Sequence, residues 1–300
     1  MTLAENAEIL QNQIYFCQSK DIFTIKNHAY CHGQNFSISN RLEKQYKIIE
    51  EREMYNLNEF QIIMIRKNPP FNEAYLTMTH MLNLVDQSKT LIINNPKIFQ
   101  TSSEKLLTLN FPEFIPDTLI TGNIENAYEF LEKHNQIILK PINSYSSYDI
   151  FLINKGDYNI KVIFENLLQK YTNCPIIVQR FINNVTKGDK RVIIIDGEVI
   201  GSFSRIPKKG SILSGTVHDS SLELSSLTKK EELIVEKLKP FLIENKIYFA
   251  GIDIIDENLT EINFTSPTGI PILMELTGVN YGEKIWNMFE KIYDREIIKR

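Results

Sequence analysis

The sequence predicts an N-terminal α/β unit followed by α+β subdomains. Three observations carry that expectation. The near-continuous apolar run Phe60–Ile65, FQIIMI, has the composition of a buried parallel strand. Further on, apolar runs joined by the turn residues Asp196-Gly197 and Asp256-Glu257-Asn258 mark hairpins. Strand-like and helix-like patterns alternate between these points. A chain of 300 residues also exceeds what one small core organises, so two or three subdomains are expected.

Taken in order, residues 3–14 have helical periodicity, with Leu3, Ala7, Leu10 and Ile14 on one side. Short strands follow at Gln13–Cys17, Ile22–Ile25 and Phe36–Ile38, and the charged stretch 40–56 reads as a solvated loop or helix. The strand Phe60–Ile65 ends in Arg66-Lys67-Asn68-Pro69-Pro70-Phe71, which leaves polar residues at the carboxyl edge of a sheet, where open α/β sheets bind ligands. Tyr75–Val85 is helical and Thr90–Ile93 a buried strand, closing a first domain over residues 1–100. Thr101-Ser102-Ser103-Glu104 can cap a helix that carries Lys105 in its first turns.

A second unit, 101–178, contains the helix Asn126–His134, the strand Gln136–Pro141 with Lys140 at its end, the turn-rich loop Asn143–Asp149 and an amphipathic helix at 159–171. The strand Pro175–Phe181 leads into the third unit, 179–300. Here Val192–Ile195 and Val199–Phe203 form a hairpin, 206–226 is a Gly- and Ser-rich loop, and Thr228–Asn245 is a helix. The two runs Ile252–Ile255 and Ile262–Phe264 then form a strand pair.

Composition excludes several classes. The chain is 43% hydrophobic and 23% charged, an ordinary globular balance. A net charge of −4 and the lack of any Lys/Arg cluster give no reason to expect nucleic acid. No apolar run reaches membrane-spanning length and no signal peptide is evident. Three cysteines, Cys17, Cys31 and Cys174, have no metal-like spacing, and the odd count suits a reducing compartment, so a cytoplasmic location is expected.

The chemistry concentrates at strand ends. Period-two alternation puts Glu261 and Asn263 on one face, and Asp253 joins them if the hairpin is in register. Oxygen donors of this kind suit Mg²⁺, which completes its shell with phosphate oxygens and water. Lys105, Lys140, Arg191 and Arg205 add positive charge, the combination phosphoryl chemistry needs. No GxxxxGK[ST] loop and no GxGxxG occurs, which disfavours P-loop and Rossmann binding. Nor is there a GxSxG elbow or an HExxH helix. His28, His32, His80, His134 and His218 are scattered and read as structural or surface residues.

The segments MIRKNPPF (64–71), SEKLLTL (103–109), IILKP (137–141), VQRFI (178–182), GDKRVIIIDGE (188–198), SRIP (204–207) and GIDIIDENLTEINFTSPTGI (251–270) appear in the order and spacing of a known family. The chain resembles bacterial glutathione synthetases, ATP-grasp ligases, over nearly its whole length. The resemblance implies a pre-ATP-grasp domain followed by a two-subdomain ATP-grasp fold. It implies ATP and Mg²⁺ as cofactors, γ-glutamylcysteine and glycine as substrates, and a homo-oligomer. In that family the dipeptide's terminal carboxylate attacks the γ-phosphate, and glycine's amine displaces phosphate from the acyl phosphate. By match, Lys105 and Lys140 contact ATP phosphates, while Gln179, Arg180 and Ile182 form the adenine-side hinge. Asp189 lies by the ribose or phosphates, and Arg191 and Arg205 face the acyl phosphate. Asp253, Glu261 and Asn263 hold the metals, and Ser266 and Thr268 lie near the dipeptide's carboxylate.

Three departures from the family pattern accompany the match. The loop after Lys140-Pro141 is Asn143-Ser144-Tyr145-Ser146-Ser147-Tyr148, without the family's glycines. The family's lid arginine is absent from Leu213-Ser214-Gly215-Thr216-Val217-His218-Asp219. The chain also begins about one strand later than the pattern, which would remove part of the peptide-substrate side or reflect a start assigned too far downstream. Two further readings follow from these changes: a degenerate homologue that binds nucleotide with little turnover, and a related ligase with a different acceptor.

Overall fold

The computed structural model describes residues 2–40, 45–68, 70–145, 147–214 and 219–298. The elements are α1 (Thr2–Ile9), β1 (Tyr15–Phe16), β2 (Ile22–Ile25), β3 (His28–Asn40), β4 (Gln45–Ile48), β5 (Glu53–Asn56), β6 (Ile62–Met64), α2 (Glu73–Leu82), β7 (Leu91–Ile93) and α3 (Pro96–Thr101). There follow β8 (Thr118–Thr121), α4 (Ile124–His134), β9 (Gln136–Pro141), β10 (Phe151–Asn154), α5 (Ile160–Lys170) and β11 (Ile176–Arg180). The last part holds β12 (Asp189–Ile195), β13 (Glu198–Ile206), β14 (Ser221–Leu224), α6 (Lys229–Glu244), β15 (Phe249–Ile255), β16 (Asn258–Asn263), α7 (Ile270–Thr277) and α8 (Tyr281–Tyr293).

Near the N-terminus β6 and β7 pair in parallel, as the run FQIIMI predicts, with α2 between them in sequence. Beside them lies an antiparallel sheet built on β3, which pairs with β1, β2, β4 and β5. Two of its strands, β4 and β5, fall in the stretch 40–56 expected to be loop or helix; residues 41–44 lie outside the described residues. Charge there did not prevent strand pairing, because β4 turns all its residues to solvent and takes its backbone partners from β3. The first helix is also shorter than the expected 3–14 span and stops before Gln11, whose φ of 63° is left-handed.

Two sheets follow. The smaller runs β10-β9-β11-β8, all antiparallel. It has a core of its own, in which Ile137, Leu139 and Val178 pack against Phe164 and Leu167 of α5. The larger runs β14-β13-β12-β15-β16. Its core is continuous with the N-terminal unit, since Val192, Ile252 and Phe264 share one cluster with Ile92, Phe99 and Tyr75. The Asp196-Gly197 hairpin forms as expected, with Asp196 and Gly197 both at positive φ. The stretch 206–226 contains one strand the sequence did not suggest, β14, which completes the edge beside β13. α6 starts with a full capping box: the Thr228 Oγ1 accepts from the Glu231 N–H, and the Glu231 carboxylate accepts from the Thr228 N–H at 2.8 Å.

Candidate active site

Register builds the centre of the site. On the larger sheet Arg205 of β13 lies opposite Asp189 of β12, Arg191 of β12 opposite Asp253 of β15, and Asp253 opposite Glu261 of β16. Cross-strand partners and residues two apart share a face, so these five side chains form one charged row of two arginines and three carboxylates. Arg191 Nη2 donates to Asp253 Oδ2 at 2.9 Å, and its Nε donates to Oδ1. Arg205 Nη2 donates to Asp189 Oδ2 and lies 3.1 Å from Asp253 Oδ1. Gly251 gives Arg191 room beside Asp253: a Cβ there would sit 3.1 Å from Arg191 Cδ and press the side chain aside.

Burial alone would disfavour ionised Asp253, but the Arg191 and Arg205 guanidiniums override it and hold the carboxyl down at about 2. Burial pushes Asp189 up despite Arg205 beside it. Ser214 Oγ donates to Asp189 Oδ2 at 3.0 Å, which ties residue 214 to the row. Asp189 Oδ1 and Arg205 Nε are buried with no hydrogen-bond partner among the described residues. Such orphaned polar atoms cost stability unless a ligand meets them.

Two lysines face this row. Lys140, at the end of β9, is 6% exposed, and burial pulls its ammonium down to about 8 although Glu261, Asp189 and Asp253 favour the charge. Lys105, also 6% exposed, stands 3.8 Å from Glu261 Oε1. It donates to Ile142 O at 3.4 Å, to Ser144 Oγ at 3.2 Å and to the Ser144 carbonyl, so the serine-rich loop closes directly on it. Ser147, within that loop, takes a φ of 58°, the left-handed conformation that favours glycine. Ser146 lies outside the described residues, as do residues 215–218 of the altered lid stretch. Lys208 at the base of that stretch pairs with Asp219 at 2.9 Å.

The remaining expected residues divide. β11 pairs with β9 so that Ile177 opposes Lys140 and Gln179 opposes Ile138, which puts Gln179 on the Lys140 face. Gln179 Nε2 donates to Thr118 Oγ1 at 2.8 Å. Arg180 opposes Ile137 and so belongs to the other face, while its backbone N–H donates to Asp117 O at 2.9 Å. Ile182 is buried just beyond the strand. Beyond β16, the Thr268 carbonyl accepts from Arg191 Nη1 at 3.3 Å, which sets the 266–268 loop against the row; Ser266 is half-buried and Thr268 exposed.

Sequence reasoning missed two supports of that loop. Glu104 does not cap a helix; after Ser102, extended at φ −146°, the chain makes only a 3₁₀ turn over Leu106–Asn110. Instead Glu104 Oε1 accepts from the Phe264 N–H, the Thr265 N–H and Thr265 Oγ1 at 2.8, 2.8 and 2.9 Å. Arg66, at the end of β6, donates to the Pro267 carbonyl at 2.9 Å. The polar strand end after FQIIMI was the one available signal for Arg66; nothing local marked Glu104, because its partners lie 160 and 161 residues away.

The donor set of Asp253, Glu261 and Asn263 suits Mg²⁺: all oxygen, two carboxylates and an amide, with Asp253 held ionised. Asn263 Nδ2 donates to Asp253 Oδ2 at 3.2 Å, which leaves its Oδ1 for a cation. Two antiparallel sheets that bring Lys140 of one, with Lys105 from the segment before β8, against the carboxylates of the other are the arrangement of an ATP-grasp ligase. Residues 1–99 match the model of the prokaryotic glutathione synthetase N-terminal domain, and residues 104–278 match that of the prokaryotic glutathione synthetase ATP-grasp domain. The chain belongs to the prokaryotic glutathione synthetase family.

The glutathione synthetase of Buchnera aphidicola subsp. Baizongia pistaciae is 36% identical over 281 residues, covering 93% of this chain and 86% of that protein. That of Bradyrhizobium diazoefficiens is 35% identical over 235 residues, 78% of this chain and 74% of that one. Among solved structures, the ATP-grasp ligase PsnB in complex with its minimal precursor, Mg and ADP superposes with a TM-score of 0.62 at 12% identity, covering 98% of this chain and 94% of that chain. At that identity the likeness concerns the fold. The protein is an ATP-dependent ligase of the glutathione synthetase type. No helix among the described residues is long and apolar enough to cross a membrane.

Proposed function

We propose that this ligase joins γ-glutamylcysteine to glycine at the expense of ATP, through an acyl phosphate on the dipeptide's terminal carboxylate. The observation that supports the reading most is the pair of buried lysines facing the Arg205–Asp189, Arg191–Asp253–Glu261 row. Lys105 and Lys140 bind the ATP phosphates, and the 179–182 segment receives the adenine, Gln179 from its face and Arg180 and Ile182 through the backbone. Asp189 takes the ribose or phosphate side. Arg191 and Arg205 stabilise charge that develops on the acyl phosphate, and Ser266 and Thr268 orient the dipeptide's carboxylate. Asp253, Glu261 and Asn263 hold Mg²⁺, which supplies charge neutralisation at the phosphates.

The pairing of Arg191 with Asp253 neutralises the guanidinium in part and fixes its position beside the row. Residues 101–178 and 179–300 act as the two ATP-grasp subdomains, with 1–100 on the substrate side. The three free cysteines agree with a cytoplasmic setting.

A second reading, nucleotide binding with slow turnover, is favoured by the serine-rich loop, because Ser147 holds a glycine-type conformation without glycine. The test is phosphate release from ATP in the presence of dipeptide, glycine, both or neither. Release that requires both supports the ligase. ATP binding with no release under any condition supports the second reading.

A further inference from the structure

We propose that Cys17 and Cys31 form a redox-responsive dithiol, which closes to an intramolecular disulfide by exchange with a low-molecular-weight disulfide. The pair lies in the N-terminal unit, on β3 and just after β1, and the inference does not depend on the identity of the ligase substrates.

Strand register brings the two residues together. Phe16, the last residue of β1, is opposite Gln34 of β3, so Cys17 follows on beside Gly33. Cys31 is two residues along β3 from Gly33 and so on the same face. A Cβ at Gly33 would lie 3.5 Å from Cys31 Sγ and 3.6 Å from the Phe16 carbonyl, which places the Cys31 sulfur beside the chain that leads into Cys17. Both thiols are free, and a hydrogen bond between the two side chains favours charge on Cys17 and disfavours it on Cys31. Cys17 lies just beyond a two-residue strand, so it can supply the small movement that brings two sulfurs to bonding distance, about 2 Å.

The two positions are not equivalent. Cys17 is half-buried, whereas Cys31 is 3% exposed. The hydrogen bond with Cys31, with help from the Arg52 guanidinium, lowers Cys17 toward thiolate against the effects of burial and Asp21. That hydrogen bond, together with burial, raises Cys31. An accessible sulfur inclined to thiolate beside a protected thiol is the division between an attacking and a resolving cysteine. Cys174, far along the chain after α5, has no cysteine neighbour in sequence or register and serves as the internal control.

The chemistry balances without further reagents. The Cys17 thiolate attacks one sulfur of R–S–S–R, forming a mixed disulfide and expelling R–S⁻, which takes up a proton. Cys31 then loses its proton and attacks the Cys17 sulfur of the mixed disulfide, expelling the second R–S⁻. Two protein thiols are oxidised to one disulfide, and the small disulfide is reduced to two thiols. In a reducing compartment such a bond is transient, as for sensing rather than structural disulfides.

The experiment uses the full chain and oxidised glutathione as the probe. After equilibration across a series of reduced-to-oxidised glutathione ratios, the protein is quenched in acid, alkylated and mapped by mass spectrometry. The expected result is loss of two of the three alkylatable thiols, with a linked peptide containing Cys17 and Cys31, reversed by reduced glutathione. Cys174→Ser should behave as the parent. Cys31→Ser, or Cys31→Ala should the serine disturb the buried site, should stop at one glutathionyl group on Cys17. In the parent, brief alkylation under native conditions should label Cys17 before Cys31, a readout independent of any variant. Recovery of Cys17 and Cys31 as separately alkylated residues at the most oxidising ratio would overturn the proposal. So would glutathionylation confined to Cys174.

Discussion

Arg191 and Asp253 stand opposite each other in register on β12 and β15, and the guanidinium grips both oxygens of the carboxylate. Asp253 is therefore a structural counter-ion as well as a candidate metal ligand, whereas its neighbour Glu261 is half-buried and, among the described residues, forms an ion pair with Lys105 alone, at 3.8 Å. The two carboxylates should fail differently. Asp253→Asn leaves Arg191 and Arg205 buried without full compensation, which should cost about 3–5 kcal/mol and lower the melting temperature. Glu261→Gln should leave stability within about 0.5 kcal/mol and weaken Mg²⁺-ATP binding at least about tenfold. Thermal melts beside calorimetric titrations separate the two. Equal destabilisation by both variants would remove the distinction.

Lys140 carries a prediction about protons. Its ammonium, lowered by burial to about 8, is half neutral at that pH, and triphosphate oxygens arriving beside it favour the charged form. ATP binding near pH 8 should therefore take up protons, visible as a binding enthalpy that varies with the ionisation enthalpy of the buffer. Lys140→Met should abolish the variation. The same shift sets a stability trend. The folded value lies below the unfolded value of 10.5, so the unfolded chain holds the proton over that window. This contribution to stability is complete above 10.5 and is lost as pH falls through about 8.

Ser147 tests whether the glycine-free loop limits the reaction. Its φ of 58° costs a non-glycine residue about 1–2 kcal/mol. Ser147→Gly should relieve that strain and raise kcat, with little change in the affinity for ATP. An unchanged or lower kcat would mean that loop closure is not limiting.

Glu104 braces the 264–268 loop through three hydrogen bonds to one carboxylate oxygen. Glu104→Ala should cost roughly 2–4 kcal/mol, at about 1 kcal/mol per bond plus the unmet donors, and should raise KM for the dipeptide more than for ATP. Glu104→Gln keeps an accepting oxygen and should recover part of both. A Gln variant no better than Ala would point to the charge rather than the brace.

What the sequence disclosed and what it hid follow a physical line. Alternation in β16 put Glu261 and Asn263 on one face, and the polar turn 256–258 made β15 and β16 a hairpin in register with Asp253. Strand-end position located Lys140. These are local signals, and the structure realises them. The strands β4, β5 and β14 escaped notice because edge and solvent-facing strands need no apolar alternation, only a backbone partner. Ser and Glu at the spacing of 101–104 suit a local helix cap equally well, which hides the part Glu104 plays. Its true partners, Phe264 and Thr265, are neighbours only after the chain has folded. Nor did spacing reveal that Arg191 and Arg205 would be held by Asp253 and Asp189, since ion pairing across strands depends on register.

The most direct test of the account follows one oxygen atom. γ-Glutamylcysteine labelled with oxygen-18 in its terminal carboxylate is turned over with ATP, Mg²⁺ and glycine, and the tripeptide and released phosphate are analysed by mass spectrometry. Attack of that carboxylate on the γ-phosphate, followed by displacement by the amine, transfers one labelled oxygen to phosphate for each tripeptide formed. The account predicts that transfer, in equal amounts, with both products formed more slowly by Glu261→Gln at the same ATP concentration. Tripeptide accompanied by unlabelled phosphate, or phosphate released without tripeptide, would contradict it.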